Sequence, residues 1–145
     1  MKRRKSLKNF NWEILIAHNH WVTLSFYGKK VKVCARCLGV TIGFFIFLMV
    51  TSIADFTFFS LLNPVYQLAL CLSLVFPAIF DWITQCWKFR ESSNKLRIFT
   101  GFLEGGGAIF LYLSSLPFLQ KIFVLLLIGG IVLNLGFWGK KFFNV

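Results

Sequence analysis

Cys34-Ala35-Arg36-Cys37 sets two thiols three positions apart just ahead of a long apolar run, which puts them at the start of a helix. There the unpaired backbone N–H groups and the helix dipole favour thiolate, a polarisation that serves a metal ligand, a redox thiol or a nucleophile equally. His18 and His20, two residues apart, share one side of an extended strand. His18, His20, Cys34 and Cys37 could therefore form a tetrahedral site of two nitrogens and two sulfurs, suited to zinc or another divalent transition metal. The competing reading packs the cysteines as small apolar residues and leaves the histidines at a headgroup interface.

A second group lies further along the chain. Asp81 and Gln85 are four apart and share a helix face near the end of an apolar segment, where a carboxylate is expensive unless paired. Asn94 and Arg97 share a face where the next apolar segment begins. Antiparallel packing of these segments sets Arg97 against Asp81, directly or through Asn94 or Gln85. Asp81, Gln85, Asn94 and Arg97 are thus expected to form a polar cluster with Asp81 and Arg97 as its catalytic candidates. In an enzyme Asp81 would act as general base or metal ligand, Arg97 would hold a phosphate, and Cys34 or Cys37 would be the nucleophile. A buried Asp–Arg pair that only fixes helix packing is the open alternative. Glu104 extends a stripe of Arg97, Gly101, Gly105 and Ala108 whose small residues let another helix approach closely. No Lys-Ser/Thr follows Gly105-Gly106-Gly107, as a phosphate-binding loop would need.

These residues must be positioned by membrane-spanning helices. A chain of 145 residues that is 57% hydrophobic and 14% charged has too little polar surface to cover a soluble domain. Four segments, Leu38–Phe59, Pro64–Ile83, Ile98–Leu116 and Phe118–Trp138, reach the roughly 20 apolar residues that a span requires. Asn63-Pro64 and Ser114-Ser115-Leu116-Pro117 break the chain between spans, because proline disfavours helix before it and suits a first helical turn. Lys and Arg crowd the region before the first span, the loop between the second and third, and the C-terminus, with Lys121 the exception. That asymmetry places both termini in the cytoplasm and the chain in a prokaryotic plasma (inner) membrane. The net charge of +11 accordingly points to anionic membrane lipid and not to nucleic acid, since the basic residues flank apolar runs.

Residues 1–37 read as a cytoplasmic N-terminal region and 38–145 as the four-span domain. Leu7, Phe10, Ile14 and Ala17 recur at helical spacing, as in a short interfacial helix. Val22, Leu24 and Phe26, then Val31 and Val33, alternate with polar residues about Gly28, as in a β-hairpin. Asn9, Asn11 and Glu13 interrupt any signal-peptide core, so no cleavable leader is expected. The fold class is all-α membrane: a four-helix transmembrane bundle preceded by a short interfacial helix and hairpin.

Taken in order, Cys34-Ala35-Arg36-Cys37-Leu38-Gly39, Asp81-Trp82-Ile83-Thr84-Gln85 and Glu91 through Gly101 resemble the family of small prokaryotic membrane proteins called domain of unknown function 2085. The resemblance runs from about His18 to Gly105. It implies a compact multi-span protein and marks His18, Cys34, Arg36, Cys37, Asp81, Gln85, Asn94 and Arg97, without bringing an activity. Three functions fit the residues: a cytoplasm-facing polar pocket that binds a transition metal; an enzyme acting on a lipid or isoprenoid substrate at the inner leaflet; and an assembly factor or small transporter subunit. The last would pair through the glycine-rich third span with a second copy or another membrane protein.

Overall fold

A computed structural model describes residues 21–26, 29–54, 56–87 and 89–142. The expected interfacial helix, His18, His20 and Asp55 lie outside the described residues. The described residues open with an antiparallel hairpin, β1 (Trp21–Phe26) and β2 (Lys29–Cys34), in a register that sets Trp21 opposite Cys34 and Phe26 opposite Lys29. Helix α1 (Ala35–Ile53) follows without a linker, so Cys34 is at once the last strand residue and the helix N-cap. Then come a short α2 (Thr57–Leu61), α3 (Pro64–Cys86), α4 (Asn94–Leu113) and α5 (Phe118–Phe142). The protein is a membrane protein, and among the described residues four helices, α1, α3, α4 and α5, are long and apolar enough to span a bilayer.

The helix limits differ from the sequence expectation where hydrophobicity does not set them. Because β2 feeds straight into α1, that helix begins at Ala35, three residues before Leu38, and takes Arg36 and Cys37 into its first turn. It stops at Ile53, where Ala54 turns extended (φ −78°, ψ 137°), and α2 then folds Phe59 inward. Phe59 is buried with its ring 5.3 Å from that of Phe110, in an aromatic cluster completed by Phe47, Phe56 and Phe102. Asn63 caps α3 by accepting the Val65 N–H at 3.0 Å, and Pro64 occupies the first turn, where its missing N–H costs nothing. Ser93 caps α4 in the same way through the Leu96 N–H, so that helix starts at Asn94 and includes the polar residues ahead of Ile98.

Helices α1 and α4 run parallel with backbones in contact. A Cβ on Gly39 would lie 2.2 Å from the Ile98 carbonyl oxygen, and one on Gly43 would lie 2.1 Å from that of Phe102. From the other side, a Cβ on Gly101 would meet the Arg36 carbonyl oxygen at 2.5 Å and one on Gly105 that of Val40 at 2.4 Å. Both helices therefore carry glycines four apart, the spacing that lets spans approach when no hydrophobic force operates between them. The Gly101 and Gly105 face, a candidate for pairing with another chain, is filled by α1 of the same chain. Helix α3 packs antiparallel on α4, with Val75 and the Cys71 carbonyl against Gly107. Cys71 is buried in this contact. Helix α5 stands at the edge against α3, where the Trp82 ring covers Gly136 and Trp87 Nε1 donates to the Leu135 carbonyl at 3.1 Å.

At the far end of the bundle Gln67 ties the turns together. It is fully buried, and its amide nitrogen donates to the carbonyls of Phe59 (2.7 Å) and Leu62 (3.0 Å) and to Ser115 Oγ (3.1 Å). Its Oε1 accepts the Ser115 backbone N–H at 2.8 Å. One side chain thus satisfies backbone groups that an apolar environment would otherwise strand.

Candidate functional site

The start of α1, the end of α3 and the start of α4 meet at the basic end of the bundle, and the polar residues converge there. Asp81 is buried, 2% exposed, and its carboxylate accepts from three donors. Arg36 Nη2 lies 2.7 Å and Gln85 Nε2 2.7 Å from Oδ2, and Arg90 Nη2 lies 3.2 Å from Oδ1. Arg97 does not pair with Asp81 directly; its Nη2 donates to Gln85 Oε1, and Gln85 passes the link on. The glycine contact explains why Arg36 takes the place expected for Arg97: backbone packing of α1 on α4 sets Arg36 level with Gly101, one turn in from Arg97. Asn94 stands at the first position of α4 with Oδ1 buried and unpartnered among the described residues.

Two guanidinium groups therefore share one carboxylate, and a third reaches it through Gln85. Arg36 and Arg97 are both largely buried, and the Nε of each has no hydrogen-bond partner among the described residues. Arg90 is half-exposed, and its ion pair is accordingly worth little. The family resemblance marks Arg36, whose own position gives it no role, and neither Arg90 nor Gln67 belongs to a motif of the sequence. The signals the sequence carries are a cation in the first turn of a helix at the basic end, and a glutamine four residues into an apolar span.

Cys34 is buried at the N-cap of α1 and Cys37 is exposed one turn on, both as free thiols. Cys34 lacks a hydrogen bond of full capping geometry. Burial by itself would raise its thiol, but the backbone N–H groups of Cys37 and Arg36, the Cys37 thiol and the charge of Arg97 together outweigh burial and hold it below the usual thiol range. The cysteine pair and the Asp81 cluster are therefore electrostatically joined through Arg97. Among the described residues no group of three or more His, Cys, Asp and Glu side chains is placed to hold a metal ion. The Cys86 sulfur sits 3.8 Å from the Cβ position of Gly136, on the α5 side of the bundle.

A family profile described as a predicted membrane protein matches residues 18–112, the stretch that carries the CxxC helix start, the Asp-x-x-x-Gln helix end and the Asn-x-x-Arg helix start. The chain belongs to the DUF2085 family. The match covers the hairpin and the helices that build the polar cluster, and ends before α5. Two archaeal relatives, each named only as an uncharacterised protein, are similar to this chain. That of Methanothermobacter thermautotrophicus is 37% identical over 89 residues, 59% of this chain and 72% of its own length. That of Methanocaldococcus jannaschii is 36% identical over 88 residues, 58% of this chain, and the aligned stretch spans about half (52%) of its length. No solved structure matches the chain.

Proposed function

We propose that this DUF2085 protein binds an anionic oxygen group, a phosphate or a carboxylate, at the basic end of its bundle, and that this end faces the cytoplasm. The observation that carries the reading is the gathering of Arg36, Arg90 and, through Gln85, Arg97 around the single carboxylate of Asp81, with unused Nε donors on two of the three. An excess of positive charge next to hydrocarbon is costly, and an anion held by those donors would offset it. Guanidinium is the group best matched to phosphate and carboxylate, since its planar fork donates to two oxygens at once. Asp81 already accepts three hydrogen bonds, which favours a positioning role for it over proton transfer. The test is thermal unfolding of purified protein titrated with inorganic phosphate at constant ionic strength. The melting temperature should climb with phosphate as linked binding requires, and Arg97→Gln should abolish the rise. A melting temperature independent of phosphate would sink the reading.

A second reading rests on the thiols. The Cys34 and Cys37 side chains interact with each other, as two ligands of one zinc ion or as a redox pair would, and His18 or His20 would complete a zinc set. Metal analysis of wild type against Cys34→Ser separates the cases. Bound zinc in wild type that falls away in the variant supports the metal, and protein without zinc after purification in zinc-containing buffer removes it.

A further inference from the structure

A cavity of about 350 Å³ opens between α3 and α5, with Arg36 of α1 and Glu104 of α4 in its wall. Val75, Ile79 and Trp82 on one side and Val132 and Leu133 on the other make most of the lining apolar. Its volume lies at the lower end of the range for small-molecule sites, about 300–1,000 Å³, which suits one hydrocarbon chain and not a bulky ring system. Arg36 belongs to both places at once: the side chain that lines this slot is the one bonded to Asp81 at 2.7 Å. Glu104 makes no hydrogen bond or ion pair among the described residues. It stands seven residues beyond Arg97 on α4, about 10 Å deeper along the axis, where the lining is mostly apolar and Arg36 is the one cation it offers. A ligand that uses both places must have its negative end at the arginines and its apolar end between α3 and α5.

We propose that the occupant is an anionic phospholipid-type molecule, its phosphate held by Arg36 and Arg97 and one hydrocarbon chain lying in the slot beside Gly129. This inference rests on the anion reading above and adds the chemistry of the rest of the ligand. Gly129 lines the slot, and a Cβ built on it meets nothing within 4 Å. A larger side chain there is accommodated without backbone strain and takes the space of the chain. Gly130 is equally open and does not line the slot, so it supplies the matched control.

The experiment uses n-dodecyl phosphate carrying a diazirine at mid-chain, photolysed with the full-length protein in vesicles of neutral phosphatidylcholine, with labelled residues located by mass spectrometry. Label should concentrate on Val75, Ile79, Val132 and Leu133 and be displaced by excess inorganic phosphate. Gly129→Leu should lower it about tenfold, the scale expected when a side chain fills space a ligand needs, while Gly130→Leu leaves it unchanged. Label spread over lipid-facing residues such as Phe45 and Leu126, indifferent to Gly129→Leu, would overturn the slot. A parallel calorimetric titration with inorganic phosphate tells the two failures apart: phosphate binding with scattered label leaves the anion site standing, and no phosphate binding removes both.

Discussion

Replacing Gly43 by alanine tests the contact on which the geometry of the polar cluster depends. The added Cβ would sit 2.1 Å from the Phe102 carbonyl oxygen and 2.8 Å from its carbonyl carbon and Cα, where ordinary contact begins at 3.4 Å. Those atoms are backbone and cannot rotate aside, so α1 and α4 must part by about 1 Å or more. Overpacking of this kind costs about 1–3 kcal/mol or more when the neighbour is rigid. Alanine returns at most about 1 kcal/mol through helix propensity, so Gly43→Ala should lose about 2 kcal/mol net. Gly130→Ala, in open space, should instead gain up to about 1 kcal/mol. Adding Gly105→Ala to Gly43→Ala should cost less than the sum of the two, because helices already parted accept the second methyl cheaply. The assay is unfolding in mixed micelles followed by tryptophan fluorescence. If Gly43→Ala and Gly130→Ala are equally stable, α1 and α4 do not touch backbone to backbone, and nothing then sets Arg36 against Asp81.

Asp81→Asn should destabilise the protein by about 3–5 kcal/mol, because it leaves the buried Arg36 guanidinium uncompensated. In double-mutant cycles Asp81 should couple to Arg36→Gln by about 1–3 kcal/mol and more weakly to Arg97→Gln; stronger coupling to Arg97 would contradict the pairing. Gln67→Leu strands the Leu62 carbonyl and the Ser115 N–H, while the Phe59 carbonyl keeps the Leu62 N–H, and should lower stability by about 2–4 kcal/mol at roughly 1–3 kcal/mol per unsatisfied group, with some relaxation. Phosphate binding at the opposite end should be unchanged in that variant. Ultraviolet titration of thiolate, compared with Cys34→Ser, should place Cys34 below ordinary thiols, and Arg97→Gln should move it up. Since the folded state then binds fewer protons than the unfolded chain, the Cys34 contribution to stability should grow as pH rises from its lowered value to the usual thiol value near 8.5 and fade below that window. Reporter fusions after Asn63 and after Lys95 should report outside and inside respectively; the same side for both would mean the spans are miscounted.

The sequence by itself settled the solvent and the count. Hydrophobic runs of bilayer length are a one-dimensional property, and so are the Asn63-Pro64 and Ser115-Leu116-Pro117 breaks, so four spans, their order and the alternating hairpin residues were all legible. So was the grouping of Cys34, Cys37, Asp81, Gln85 and Arg97 near helix ends on one side, since antiparallel spans return every second end to the same face. Which cation meets Asp81 was not legible. Arg36, Arg90 and Arg97 all lie near that end, and the choice depends on the lateral order and axial offset of the helices. Those are set by the close approach that Gly39 and Gly43 allow against Ile98 and Phe102, a three-dimensional fit that hydropathy does not encode. The same offset gives Gly101 and Gly105 a partner within the chain and leaves a slot beside Gly129 that no run of residues announces. It also joins Arg97 to Cys34, residues 63 positions apart in the chain, because electrostatic neighbourhood follows distance through the folded protein and not along the sequence.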